Sequence, residues 1–331
     1  MMNIAVLIPC FNEEITISSM VTEFRQQLPA STVYVYDNNS SDRTSELAAD
    51  AGAVVRHESI QGKGAVVRRM FADIDADIYI IVDGDGTYDV PSVNQMINKL
   101  VDERLDMVVG ARLDSAILNL YPPGHRLGNV IISKFVRFLF GSDFTDILSG
   151  YRVFSKRFVK TFPALSTGFE VETELTVHSL AMKLPVAEFP TPYYRRAEGS
   201  SSKLNTFRDG ARIFLTIISL FKEFRPFIFF GLLFLFFATA SVVFSIPLLF
   251  TYLETGLVPQ IPMAIVSSGI MLLAFISLVS GIILNTLYTA RWEAKRAHYQ
   301  SFPGLPDSIS SDNSMASTPS ATEQSQTNKT I

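Results

Sequence analysis

Ile78-Tyr79-Ile80-Ile81-Val82-Asp83-Gly84-Asp85 is the stretch on which the reading of this chain turns. The apolar run, rich in β-branched side chains, predicts a buried strand. Two carboxylates one residue apart at its exit project to the same side. Such a pair can hold a hard divalent cation, Mg2+ or Mn2+, which takes oxygen ligands, keeps several waters and is completed by phosphate oxygens.

Upstream and downstream the same theme recurs, an apolar strand followed by a polar turn and a helix. Residues 3–9 read as a buried strand ending at Pro9, 13–28 as a helix, and 32–36 as a strand running into Asp37-Asn38-Asn39-Ser40-Ser41-Asp42. Residues 44–51 read as helical, 53–56 as a short strand, and Gly62-Lys63-Gly64 leads into a helix from Ala65. Residues 77–82 form the strand ahead of the acidic pair, 91–103 a helix and 106–110 another strand. This alternation predicts an α/β domain, Rossmann-like, with a mostly parallel sheet and helices on both faces. Ligands of such sheets bind beyond the carboxyl ends of the strands. The polar groups around Pro9, Asn12 and Glu13, at Asp37, and at Asp83 and Asp85 all fall there.

The net charge of −4 over 331 residues gives no sign of a nucleic-acid partner. Cys10 is the single cysteine, which excludes a disulfide framework and a cysteine-based zinc site. Charge is unevenly spread: Pro226 to Leu253 carries none, and after Glu254 neither does Thr255 to Ala290. Each stretch exceeds the ~20 apolar residues that a membrane-spanning helix needs, and the expected spans are about 226–252 and 261–288. Pro247 predicts a kink in the first. Lys222 and Arg225 precede the hairpin, Arg291, Lys295 and Arg296 follow it, and its turn carries no Lys or Arg. The positive-inside rule then expects a multi-pass protein of the plasma (inner) membrane with the soluble domain and both termini in the cytoplasm. Met1-Met2-Asn3-Ile4-Ala5 reads as the start of the first strand rather than as a signal peptide. Residues 206–225 are amphipathic, with Ile213, Ile217, Leu220 and Phe224 opposed by Asp209, Arg212 and Lys222. They suit either the membrane interface or a packed protein surface. Residues 291–331 are expected to be a cytoplasmic tail, disordered from about 303, where Ser, Thr, Asn, Gln and Pro dominate.

The segments Ile8-Pro9-Cys10-Phe11-Asn12-Glu13-Glu14, Tyr36-Asp37-Asn38-Asn39-Ser40-Ser41-Asp42, Gly62-Lys63-Gly64, Asp83-Gly84-Asp85-Gly86-Thr87-Tyr88 and Thr145-Asp146-Ile147-Leu148-Ser149-Gly150-Tyr151-Arg152 carry a further signal. Together they resemble family 2 glycosyltransferases of the GT-A fold. Within that family the chain is similar to the polyprenyl-phosphate group, the dolichol-phosphate mannose synthases and the bacterial bactoprenol glucosyltransferases. The resemblance covers roughly residues 3–200, so 1–205 is the expected catalytic domain. It implies an inverting, metal-dependent hexosyltransferase that takes a sugar from a nucleotide sugar, UDP-glucose or a relative, to polyprenyl (undecaprenyl) phosphate at a lipid bilayer, in cell-envelope polysaccharide synthesis. Carried over by position, Asp83 and Asp85 hold Mg2+ or Mn2+, Pro9, Phe11 and Glu13 border the nucleoside, and Asp37 bonds the base. Asp146 takes the place of the catalytic carboxylate, and Arg112 and Arg126 bind the acceptor phosphate, which guanidinium groups suit. Lys63, between glycines at a helix start, reads either as a phosphate-binding residue or as a solvated loop lysine.

Other charged residues carry weaker expectations. Arg152 reads as the structural partner of a nearby carboxylate. Arg195, Arg196 and Lys203 suit either phosphates or an anionic lipid surface. Glu170, Glu172 and Glu174 read as a solvated or paired helix start, with one of them a candidate for the sugar. His125 and His178 lack a second ligand at helical spacing and read as structural. Ser267-Ser268-Gly269 and Ser277 to Gly281 would allow homo-oligomerisation in a membrane. Two other functions are compatible with the chain: transfer to another lipid hydroxyl, and a non-catalytic membrane adaptor on a transferase fold.

Overall fold

A computed structural model of the chain describes residues 2–112, 144–166, 168, 170–196 and 221–305, together with 134, 137, 138, 141, 218 and 219. The strands are β1 (Ile4–Cys10), β2 (Thr32–Asp37), β3 (Val54–His57), β4 (Ile78–Ile81), β5 (Met107–Arg112), β6 (Arg152–Ser155) and β7 (Val186–Thr191). They form one sheet in the order β3-β2-β1-β4-β6-β5-β7. Pairing is parallel except where β6 runs antiparallel to β4 and β5.

Side-chain alternation along each strand feeds two cores. Ala5 and Leu7 of β1 with Tyr79 and Ile81 of β4 face one side; Val6, Ile8, Ile78 and Ile80 face the other. Helices α1 (Ile17–Gln27) and α4 (Val93–Asp102) cover the second face through Met20, Val21, Phe24, Met96 and Leu100. Helices α3 (Lys63–Asp73), α5 (Lys156–Thr161) and α6 (Val171–Met182) cover the first through Val67, Met70, Phe158, Val171 and Leu175. The short α2 (Thr44–Asp50) joins β2 to β3.

The elements expected from the sequence are present, with two shifts. The helix expected from Glu13 begins at Ile17, because residues 13–16 make a turn in which the Thr16 and Ile17 N–H groups both donate to Glu13 O at 3.1 and 3.0 Å. The helix expected from Ala65 begins two residues earlier, at Lys63. The antiparallel β6 was not anticipated. It matters because its first residue, and the loop 145–151 before it, reach the rim where β1, β2, β4 and β5 end.

Two long apolar helices follow, α7 (Pro226–Thr255) and α8 (Ile261–Gln300), both long and apolar enough to cross a membrane. They pack as a hairpin through small residues. Ser241 Oγ donates to Ser267 O at 2.7 Å, and a Cβ on Gly281 would stand 2.9 Å from Phe230 Cβ. Ser267, Ser277 and Gly281, expected to serve oligomerisation, are thus buried within the chain itself, where small side chains allow close approach of helices. Pro247 lies inside α7 without interrupting it.

Helix α8 continues ten residues beyond its uncharged stretch and docks on the sheet domain. Trp292 is buried against Phe224, Tyr288 and His178. Tyr299 O–H donates to Asp106 at 2.6 Å, and the Arg157 guanidinium, bonded to the same carboxylate at 2.5 Å, lies over the Tyr299 ring. Most of 206–225, and 306–331, lie outside the described residues.

Candidate active site

In the sheet, strands β1 to β3 are added toward one edge and β4 returns to the other side of β1, so the strand order switches between two parallel neighbours, β2 and β4. Such a switch point opens a crevice at the carboxyl ends of the strands. Its first wall is the pair of loops after β1 and β2. Asn12, at φ 53°, lets its side-chain oxygen accept the Ser41 N–H at 2.8 Å while its own N–H donates to Ser40 Oγ at 2.9 Å. The Glu13 N–H donates to Thr44 Oγ1 at 2.8 Å. These bonds tie the loop that carries Phe11 and Glu13 to the loop that follows Asp37, while Pro9 pairs with Tyr36 at the ends of the two strands. Asp37 is buried; its Oδ2 accepts the Ser40 N–H at 3.2 Å and faces His57 Nδ1 at 3.3 Å. Its Oδ1 is buried and has no donor among the described residues. A buried acceptor without a donor is costly, and an N–H from a bound base would satisfy it.

The acidic pair forms the floor. Asp85 is 4% exposed; its Oδ1 accepts from the Thr87 hydroxyl at 2.6 Å, and its Oδ2 from Arg196 Nη2 at 2.6 Å. Asp83 Oδ1 accepts from the Lys63 ammonium, which also bridges to Glu172 Oε1 at the start of α6. The Lys63 side chain is only 9% exposed and is paired with two carboxylates, so the solvated-loop reading does not hold. It owes its place to Gly62, whose φ of 127° no L side chain adopts readily, and to Asn38, whose Oδ1 accepts the Gly62 N–H at 2.7 Å. Burial alone would lower the Lys63 pKa, but the two carboxylates outweigh it and the ammonium is held well above its ordinary value. Glu172 is raised, because burial outweighs the ammonium beside it. Gly150 backs Asp83 closely: a Cβ there would collide with the Asp83 carboxylate.

Asp83 and Asp85 offer hard oxygen donors, and among the described residues no third His, Cys, Asp or Glu joins them in a metal-binding group. That set fits a Mg2+ or Mn2+ completed by waters and a diphosphate. The pair already draws two cationic side chains, an ammonium on one carboxylate and a guanidinium on the other.

Across the crevice stand Asp146 and Arg112. Asp146 is 3% exposed and held bidentately, Oδ2 by Arg112 Nε at 2.6 Å and Oδ1 by Nη2 at 2.7 Å, with the Arg112 N–H adding a third bond at 3.1 Å. The Thr145 and Asp146 N–H groups both donate to Glu188 Oε1 at 2.9 Å. Arg152 departs from its expectation as a carboxylate partner. Fully buried, it donates to Ile147 O at 2.5 Å, Ser149 O at 2.9 Å and Thr176 Oγ1 at 2.9 Å, so it sets the loop by gripping carbonyls. Burial pushes its pKa down to about 10.

Three site residues were not singled out by sequence reasoning. Glu172 was one of three alternating glutamates, but it sits three and four residues before the buried Leu175 and Thr176, a helical spacing that marks an inward face. Arg196 reaches Asp85 because Tyr88 pairs with Tyr193 and the Tyr194 N–H donates to Thr87 O at 2.8 Å, a contact between segments with no local signal. Glu188 holds the Asp146 loop from β7. Arg126 and His125 lie outside the described residues, as does Lys203.

Comparisons with known proteins give the family and the fold. The family model for Glycosyl transferase family 2 matches residues 5–162. The glycosyltransferase AglJ of Haloferax volcanii is 38% identical over 229 residues, covering 69% of this chain and 75% of that protein. The dolichyl-phosphate hexose transferase of the same organism is 27% identical over 224 residues, covering 67% of this chain and 96% of its own. Among solved structures, Mycobacterium tuberculosis glucosyl-3-phosphoglycerate synthase in complex with Mn2+, UDP-glucose and phosphoglyceric acid shares the fold, with a TM-score of 0.53 at 21% identity over 67% of this chain and 79% of that one. By sequence and by fold, this chain is a member of glycosyltransferase family 2 with the GT-A architecture.

Proposed function

We propose that this glycosyltransferase is metal-dependent and moves a hexose from a nucleotide sugar, UDP-glucose or a relative, to a polyprenyl phosphate at the membrane surface, with inversion. The observation that carries the reading is the convergence of Asp37, Asp83–Asp85 and the Arg112–Asp146 pair on one rim of a domain that is itself docked on an apolar helix hairpin. The dolichyl-phosphate relative and the UDP-glucose and Mn2+ of the solved neighbour support it. An isoprenoid stays in the bilayer, so a transferase held at the surface meets its acceptor at raised effective concentration. The plasma (inner) membrane, with the catalytic domain and both termini cytoplasmic, is part of the same proposal.

In this reading Asp37 takes an N–H of the base, and Pro9, Phe11 and Glu13 border the nucleoside. Asp83 and Asp85 would hold Mg2+ or Mn2+, which supplies Lewis-acid stabilisation of the departing nucleoside diphosphate. Arg196 is a cation within reach of the same diphosphate, and Lys63 is the enclosed cation that balances the charge of Asp83. Arg112, with Arg126, binds the acceptor phosphate. One phosphate oxygen forms the new bond to the anomeric carbon as the bond to the diphosphate breaks. A phosphate monoester is largely dianionic at neutral pH, its second pKa being about 6, so little general-base assistance is required. Asp146, clamped by Arg112, therefore acts chiefly by holding that guanidinium in a fixed pose.

The test is product formation by the purified full chain in detergent with undecaprenyl phosphate, Mg2+ or Mn2+ and radiolabelled UDP- and GDP-sugars, with Asp85→Ala as control. An organic-extractable labelled product made only by the unsubstituted protein with metal is expected. A folded protein that makes no lipid product from any donor refutes the reading.

A further inference from the structure

If Asp83 and Asp85 receive a divalent cation, the two side-chain cations now on them must give way. Their situations differ. Arg196 has a side chain 37% exposed and can turn to solvent or to the diphosphate. Lys63 is 9% exposed and has no such exit. Moved off Asp83 without a partner, its ammonium would be an uncompensated buried charge, which is strongly destabilising.

Glu172 supplies what is missing. Its Oε1 already accepts from the Lys63 ammonium, and its Oε2 is buried with no donor among the described residues. Lys63 and Glu172 line one cavity of about 10 Å³, together with Ser149, Gly150 and Arg152. A second carboxylate oxygen and a small free volume thus adjoin the Lys63–Glu172 pair. Asp83, by contrast, is walled by Gly150.

We propose that Glu172 is a positioning residue for the metal site, the partner onto which Lys63 transfers its charge when a divalent cation takes Asp83. The proposal rests on the reading of Asp83 and Asp85 as metal ligands. In the cation-free protein Lys63 bridges two carboxylates; with the cation bound it keeps only Glu172. No proton moves and no covalent bond changes. Without the Glu172 charge, Asp83 is the only anion left to Lys63, and the lysine competes with the metal. Without Lys63 nothing competes with the metal for Asp83, and only Arg196 remains, on Asp85.

Mn2+ binding to the purified full chain, titrated with UDP present and followed by electron paramagnetic resonance of the free ion, reads this directly. Glu172→Gln is expected to weaken Mn2+ binding about tenfold or more, Lys63→Met to tighten it, and the double variant to return within about threefold of the unsubstituted protein. Glu172→Gln unchanged within twofold, or a double variant as weak as Glu172→Gln alone, overturns the proposal. Should Glu172→Gln fail to fold, Lys63→Met decides: tighter binding supports the proposal, and unchanged or weaker binding overturns it. Asp85→Asn separates the two layers. If it binds Mn2+ as well as the unsubstituted protein does, or if that protein binds none, the metal-site reading itself falls and takes the proposal with it.

Discussion

At the scale of single residues, the site is a set of buried charges that hold one another in place. In the Arg112–Asp146 pair the carboxylate is buried and the arginine side chain only 10% exposed, and removing one partner of a buried pair typically costs about 3–5 kcal/mol. Arg112→Met is therefore expected to lower the unfolding midpoint in detergent and to abolish lipid product. Arg112→Lys should fold but lose most activity, since an ammonium cannot reproduce the bidentate grip; activity near that of the unsubstituted protein would show that the grip is dispensable. Gly150→Ala places a methyl against the Asp83 carboxylate and should weaken Mn2+ binding well beyond its effect on stability. His178 gives a pH signature. Both ring nitrogens are buried without hydrogen-bond partners among the described residues, packed by Phe158, Phe162 and Trp292 and with Lys295 nearby, and burial pushes its pKa down to about 3. The unfolded chain, with a pKa near 6.5, takes up the proton first. Stability is then undiminished above about pH 6.5 and falls by up to about 1.4 kcal/mol per pH unit on acidification toward pH 3. His178→Phe should flatten that part of a melting-temperature profile; an unchanged profile would mean that other groups carry it.

At the scale of elements, the α8 extension works as a strut. Tyr299 and Arg157 meet on Asp106, which is fully buried and also accepts from Ser155 Oγ at 2.7 Å. Tyr299→Phe removes one hydrogen bond to a charged acceptor, worth about 1.5–3 kcal/mol. It should lower the melting temperature while leaving donor and metal affinity alone, and a loss of Mn2+ binding would contradict the assignment. The same elements show what was legible in the sequence. Strands β1 to β5 were read from apolar runs that end in polar turns, and the hairpin from its lack of charge, because each signal is local. The placement of Asp83 and Asp85 at a strand exit followed from the same runs. Antiparallel β6, the Arg196 contact and the Glu172 bridge join segments about a hundred residues apart or are set by tertiary pairing, so no window of sequence reports them. The strut was missed for another reason: the pattern change at Arg291 was read as the end of a span, whereas Tyr288, Trp292, Lys295 and Tyr299 continue one helical face.

At the scale of the whole molecule, the catalytic rim and the apolar hairpin belong to one chain whose last long helix serves both. If Lys222, Arg225, Arg291, Lys295 and Arg296 set the orientation, the 256–260 turn lies outside. A Gln260→Cys variant in intact cells should then react with a membrane-impermeant maleimide, and a Ser301→Cys variant should not; the reverse pattern would invert the topology and move the active site away from cytoplasmic nucleotide sugars. The most direct test of the central claim is an acceptor comparison. The purified chain would be given its best labelled donor and metal with undecaprenyl phosphate, with undecaprenol lacking the phosphate, and with diacylglycerol, and the organic phase analysed by mass spectrometry. A hexose added to the lipid phosphate, with at least about a hundredfold less on either alcohol, is the predicted result. Equal or preferred transfer to an alcohol would contradict it, and would make Asp146 a required base rather than the holder of Arg112.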